Sequence, residues 1–106
     1  MPVSQLSISG LANELREQKT TAIAVTRQCI ERIDTTDGQL NAFVTRCDEP
    51  ALKEAMAADE RLKAGTAGPL TGIPLGLKDI FSTKGVRTTC GSKILDNYVP
   101  VYDATV

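Results

Sequence analysis

Lys78 stands in the middle of the apolar segment Leu75-Gly76-Leu77-Lys78-Asp79-Ile80-Phe81, with Gly76 two residues before it leaving space on the same face. A lysine held among apolar neighbours loses hydration, which disfavours its charged form. The neutral amine is a general base that needs no histidine. That is relevant because the 106-residue chain contains no histidine at all. A His-based triad, a His-ligated metal and the usual near-neutral proton shuttle are excluded. Chemistry is left to hydroxyls, carboxylates, lysines and thiols. The same spacing also suits an edge-strand lysine whose stem lies on apolar surface while its ammonium reaches water. From the residues alone both readings stand.

The other candidates are weaker. Gly65, Gly68 and Gly72 make neither a G-x-G-x-x-G nor a G-x-x-x-x-G-K-[ST] pattern, and no strand precedes them, so they read as a connecting loop rather than a phosphate cradle. Asp59-Glu60 falls on a helix and reads as a solvated face. Cys29, Cys47 and Cys90 are three thiols without a C-x-x-C pair. An odd number without such a pair is poor evidence for a disulfide framework, and three thiols without histidine cannot close a four-ligand zinc site within one chain. Small apolar residues or ordinary free thiols describe them best. Twelve basic side chains against thirteen acidic ones, with no basic block, give no electrostatic footprint for nucleic acid. The N-terminus lacks the basic and apolar regions of a secretion signal, and no apolar run is long enough for a membrane span. A reducing, cytoplasmic setting is expected.

These residues need elements to position them. Leu6, Leu11 and Leu15 predict a first helix capped by Ser7 or Ser9. Ile23, Thr26, Ile30 and Ile33 form the stripe of a second, widened by Ala22, Val25 and Cys29. Thr20 or Thr21 caps its start, and Thr35-Thr36-Asp37-Gly38 is expected to stop it. A short β-prone run over 40–47 is centred on Phe43 and Val44. Asp48-Glu49-Pro50 opens a third helix, with Leu52, Ala55, Met56 and Leu62 on its buried face and Gly65 after its end. Residues 65–74 are irregular; 75–81 alternate as a strand would, and 86–89 form a second β-prone stretch. The expectation is therefore a helical part over about 5–65, a glycine/proline loop over 65–74 and a strand-bearing part over 75–106. Only Phe43, Phe81, Tyr98 and Tyr102 supply large rings, and the sequence closes on apolar Val106. Both features suggest that part of the core lies outside these residues.

Gly68-Pro69-Leu70-Thr71-Gly72-Ile73-Pro74-Leu75-Gly76-Leu77-Lys78-Asp79 resembles the G-P-L-x-G-I-P-x-x-x-K-D segment of the amidase signature family. Thr88-Thr89-Cys90-Gly91-Ser92-Lys93-Ile94-Leu95 and Tyr98 to Val106 resemble one branch of it, as do Leu40-Asn41-Ala42-Phe43 and Ala58-Asp59-Glu60-Arg61-Leu62. Members of that branch release ammonia from glutamine for tRNA-dependent transamidation. The resemblance implies an α/β fold: N-terminal helices plus the first strands of a mixed, twisted sheet, incomplete within this chain. It also implies a Ser–cis-Ser–Lys triad in which Lys78 is the matched lysine. The same resemblance implies two partners, the B and C subunits of an amidotransferase. Ammonia would pass to the larger B partner, which uses ATP and magnesium on charged tRNA, while the small C partner clasps the amidase chain. No cofactor falls to this chain, and tRNA is met through the complex.

The family's Gly/Ser-rich stretch, which carries both serines and the oxyanion donors, has no match here. Ser82, Ser92 and the N-terminal serines do not fit it. The chain therefore holds one third of the triad and is expected to be inactive alone. Three readings follow: the N-terminal part of an amidotransferase amidase chain or of another small-amide amidase, a short non-catalytic binding protein derived from the fold, or half of a split enzyme completed by a second chain.

Overall fold

The computed structural model describes residues 2–106. They form two compact units, one from the chain up to Ala42 together with Asp48–Pro74, the other from Phe43–Cys47 and Leu75–Val106.

The first unit is helical. After a 3-10 turn at Val3–Gln5 come α1 (Ile8–Arg16), α2 (Ala22–Leu40) and α3 (Asp48–Ala64). Ser7 caps α1 by accepting the Gly10 N–H at 3.0 Å, and Thr21 caps α2 by accepting the Ala24 N–H at 3.1 Å. The expected stop at 35–38 is overrun, and α2 continues to Leu40. Thr35 and Thr36 donate their hydroxyls back to the Arg32 carbonyl at 3.1 and 2.6 Å, so they bond within the helix instead of unwinding it. Asn41 ends it in the left-handed region at φ 51°, its N–H bonded to the Asp37 carbonyl at 2.7 Å. Leu40 is thus the last residue of a helix, and the β-prone run expected over 40–47 forms no strand.

Leu11, Leu15, Ala22, Val25 and Ala55 make the core, with Val3, Leu6, Ile23, Ala58, Leu62 and Ile73 packed around it. Leu15 and Val25 are each 1% exposed, and burying side chains of that size contributes about 1.5–3 kcal/mol apiece. On α3 the packed stripe is Ala55, Ala58 and Leu62. Met56, expected on that face, is exposed, because one residue along a helix turns it about 100° away.

Asp59 is not the solvated carboxylate that its sequence suggests. From α3 it accepts the first two N–H groups of α2, Ala22 at 2.6 Å and Ile23 at 3.2 Å. Those donors have no partner inside their own helix, and the carboxylate also meets the positive end of the helix dipole. Ala22 is fully buried, so water cannot replace the lost acceptor. Asp59→Ala should therefore lower the unfolding free energy of the chain by about 2–3 kcal/mol. Urea titration followed by far-UV circular dichroism checks it, with Glu60→Ala, on the exposed neighbour, staying within about 0.5 kcal/mol of the parent.

In the second unit no strand forms among the described residues; the one bridge pairs Thr83 with Val86. Strands expected over 75–81 and 86–89 are corrected accordingly, and only the helical side of the α/β expectation is seen. Residues 82–88 and 98–104 do run antiparallel, through Gly85 N–H to Pro100 C=O (3.0 Å), Thr88 N–H to Tyr98 C=O (3.0 Å) and Ala104 N–H to Ser82 C=O (2.7 Å). Pro100 has no N–H to return the bond, which breaks the ladder at its centre. Thr88, Thr89 and Pro100 are buried here, whereas Leu75, Ile94 and Val101 are 82–94% exposed. Arg87 ties Phe43–Cys47 into this unit by donating to Thr45 Oγ1 at 3.1 Å and the Val44 carbonyl at 3.4 Å, while its other nitrogens hold Asp96.

Candidate functional site around Lys78

Lys78 lies outside any helix or strand, just before a turn, its carbonyl accepting the Phe81 N–H at 3.2 Å. Its side chain is exposed, and the flanking Leu77 and Ile80 are each 49% exposed. The apolar enclosure that the segment suggests is therefore not supplied within the second unit. The next residue is far better held. Asp79 accepts the Thr89 N–H at 2.8 Å on Oδ1 and the Thr89 hydroxyl on Oδ2. Its own carbonyl accepts the Cys90 N–H at 2.8 Å, and Thr89 Oγ1 in turn accepts the Gly91 N–H at 3.2 Å. Thr89 is 3% exposed with its hydroxyl both donating and accepting. Both residues fall within the segments that resemble the family, but that resemblance gives neither a role nor a partner; a threonine followed by two turn residues is the local signal.

The Thr89 hydroxyl holds the Asp79 carboxyl below its ordinary value of 3.8, helped by the Thr89 N–H, the Gly91 N–H and the positive charge of Arg87, while partial burial opposes them. A carboxyl depressed on folding adds stability above its unfolded value, and this is lost as pH falls through the lower folded value. The second unit should therefore loosen below about pH 4, seen as loss of the Thr89 and Cys90 amide resonances. In Asp79→Asn that acid-induced step should be absent.

Other sequence candidates have structural employment. Ser92 caps the 3-10 turn Lys93–Leu95 by accepting the Ile94 N–H at 3.3 Å. The Ser82 backbone carbonyl accepts the Ala104 N–H at 2.7 Å, a bond that does not involve its hydroxyl. Cys29, Cys47 and Cys90 are all free thiols; burial pushes Cys29 up, and Cys90 is exposed. Gly72, one of the three glycines that fail as a phosphate cradle, sits at φ +87° against Leu15, Ala22 and Leu62, so packing in the first unit explains it. Among the described residues no group of three His, Cys, Asp or Glu side chains could hold a metal ion, and no helix is long and apolar enough to cross a membrane.

Residues 24–106 match the family model described as Amidase. The chain belongs to the amidase family. Within that family it is 49% identical over 105 residues to the glutamyl-tRNA(Gln) amidotransferase A subunit of Geobacter sp. (strain M21), a match that covers 99% of this chain and 22% of that protein. It is 51% identical over 100 residues to the protein of the same name from Marinobacter nauticus, covering 94% of this chain and 21% of the relative. Among solved structures it is similar, with TM-score 0.86 and 33% identity, to a chain described under "An unexpected vestigial protein complex reveals the evolutionary origins of an s-triazine catabolic enzyme". That likeness covers 92% of this chain and 22% of the other. The amidase-family chain thus spans about a fifth of the length of the relatives it matches.

Proposed function

We propose that this chain supplies the lysine of an amidase site that releases ammonia from glutamine, as part of a tRNA-dependent amidotransferase. The observation that carries the reading is an identity of 46–51% to amidotransferase chains of that name over 94–100% of the chain. In this reading the Lys78 amine takes the proton of a bridging serine hydroxyl, which takes the proton of a nucleophilic serine. The nucleophile's oxygen bonds to the carboxamide carbon, the C–N bond breaks, and the proton returns through the same relay to the leaving nitrogen. Ammonia departs, and water then hydrolyses the acyl-enzyme. Both serines come from polypeptide beyond these residues. A lysine accepts a proton only as the neutral amine, which burial favours; covering Leu77, Lys78 and Ile80 is the second contribution that polypeptide must make.

The B and C subunits as partners, with ATP, magnesium and tRNA bound by the assembly and not by this chain, complete the reading, as does a cytoplasmic location. The test grafts residues 1–106 into the aligned region of the Geobacter sp. (strain M21) relative and measures ammonia release. The grafted enzyme should hydrolyse glutamine, and the 106-residue chain alone should not. A folded graft that is inactive, or one that hydrolyses acetamide and leaves glutamine untouched, would overturn the reading.

A further inference from the structure

We propose that Asp79 is a positioning residue for Lys78, its carboxylate and carbonyl fastening the Lys78–Asp79 backbone to the turn at Thr89–Gly91. The inference rests on the reading of Lys78 as the base.

A lysine places its amine at the end of a flexible four-carbon stem. The amine has a defined position only if the backbone from which the stem leaves is fixed, and displacement of about 1 Å at a reacting centre costs on the order of 100-fold in rate. Functional groups are normally held by helices or paired strands, yet Lys78 lies on neither. What holds it is a set of bonds within two residues. Its own carbonyl is bonded by Phe81, the Asp79 carbonyl by Cys90, and both Asp79 carboxylate oxygens by Thr89. The receiving turn is itself constrained. Cys90 sits at φ 53° and Gly91 at φ 70°. The left-handed conformation is unfavourable for a residue with a Cβ and persists where surrounding bonds over-determine it. Here those bonds are Cys90 N–H to Asp79 C=O and Gly91 N–H to Thr89 Oγ1. A carboxylate paired with an arginine or lysine would be an ordinary surface ion pair. Asp79 instead spends its oxygens on a buried threonine, which locks the segment bearing Lys78.

The test uses Asp79→Asn, Thr89→Val and Thr89→Ser in the grafted enzyme, alongside Lys78→Ala, with kcat and KM for glutamine and the melting temperature of each. Amide hydrogen exchange at Cys90 in the 106-residue chain reports directly on the clamp. Asp79→Asn and Thr89→Val should lower kcat by about 10–100-fold with KM within about twofold, and speed exchange at Cys90. Thr89→Ser, which keeps the hydroxyl, should restore both. A purely structural role would lower melting temperature and active fraction while leaving kcat per folded molecule unchanged, and that outcome overturns the proposal. So does unchanged kcat in Asp79→Asn when Lys78→Ala is inactive, which leaves the base assignment intact. Activity in Lys78→Ala removes the base and the positioning role together.

Discussion

Gly72→Ala should remove most of the stability of the helical unit. Two independent costs meet at this residue. Its φ of +87° lies where a side chain is strained whatever the space, and the new Cβ would sit 3.1 Å from Leu15 Cδ1, 3.3 Å from Ala22 Cβ and 3.5 Å from Leu62 Cδ1. The left-handed backbone costs about 1–2 kcal/mol and forcing extra volume into a packed core about 1–3 kcal/mol. Leu15 and Ala22 are 1% and 0% exposed, so neither has free space to move into. The sum, about 2–5 kcal/mol, is a large share of what a unit this small possesses. Gly38 is the control. It lies in the last turn of α2, with nothing within 4 Å of where a methyl group would be added and no positive φ, so Gly38→Ala should gain up to about 1 kcal/mol in helix propensity. Urea denaturation of the three proteins decides it; equal midpoints for Gly72→Ala and the parent would mean that residues 68–74 are not docked on the helices.

The helices were legible because each depends on residues close in sequence. Ser7, Thr21 and the acidic start of α3 announce the caps, and the stripe of α2 follows a 3.6-residue period. Its end was misplaced because Thr35, Thr36 and Gly38, ordinarily helix breakers, are accommodated by back-bonding to Arg32 and by the Asn41 cap. Asp59 was misread for a different reason. Its partners are 36 and 37 residues away, and no local pattern distinguishes a carboxylate on a solvated face from one capping another helix. The strands failed because alternation records which side chains want one face, while a strand also needs a neighbouring backbone. Residues 75–78 have no such ladder here.

Lys78→Ala in the grafted enzyme is expected to lower glutamine hydrolysis by at least about 1,000-fold, within the range that a positioned proton acceptor contributes. In the 106-residue chain, where Lys78 is exposed, the same substitution should move stability by less than about 0.5 kcal/mol. Lys78→Arg separates the base from its charge. A guanidinium keeps the positive charge and comparable reach but cannot give up its proton in a protein. If the amine acts as base, Arg fails as completely as Ala; if only positive charge is needed, Arg preserves activity.

Of the proposed site, the sequence pattern singles out a residue and says nothing of its surroundings. Lys78 stood out because a charge interrupts an apolar alternation, and its match to the family segment assigned it a role. Its exposure here could not be read from that pattern, since burial depends on polypeptide distant in sequence or outside these residues. Asp79 and Thr89 lie in the segments that resemble the family, but their pairing across ten residues through a carboxylate–hydroxyl bond is not written in local pattern, for the same reason as that of Asp59.

The most direct measurement is ammonia released from glutamine by the grafted enzyme and by its Lys78→Ala and Lys78→Arg variants, at equal concentrations of folded protein. Release by the parent with loss in both variants is the predicted result, and undiminished release by Lys78→Ala would contradict the account.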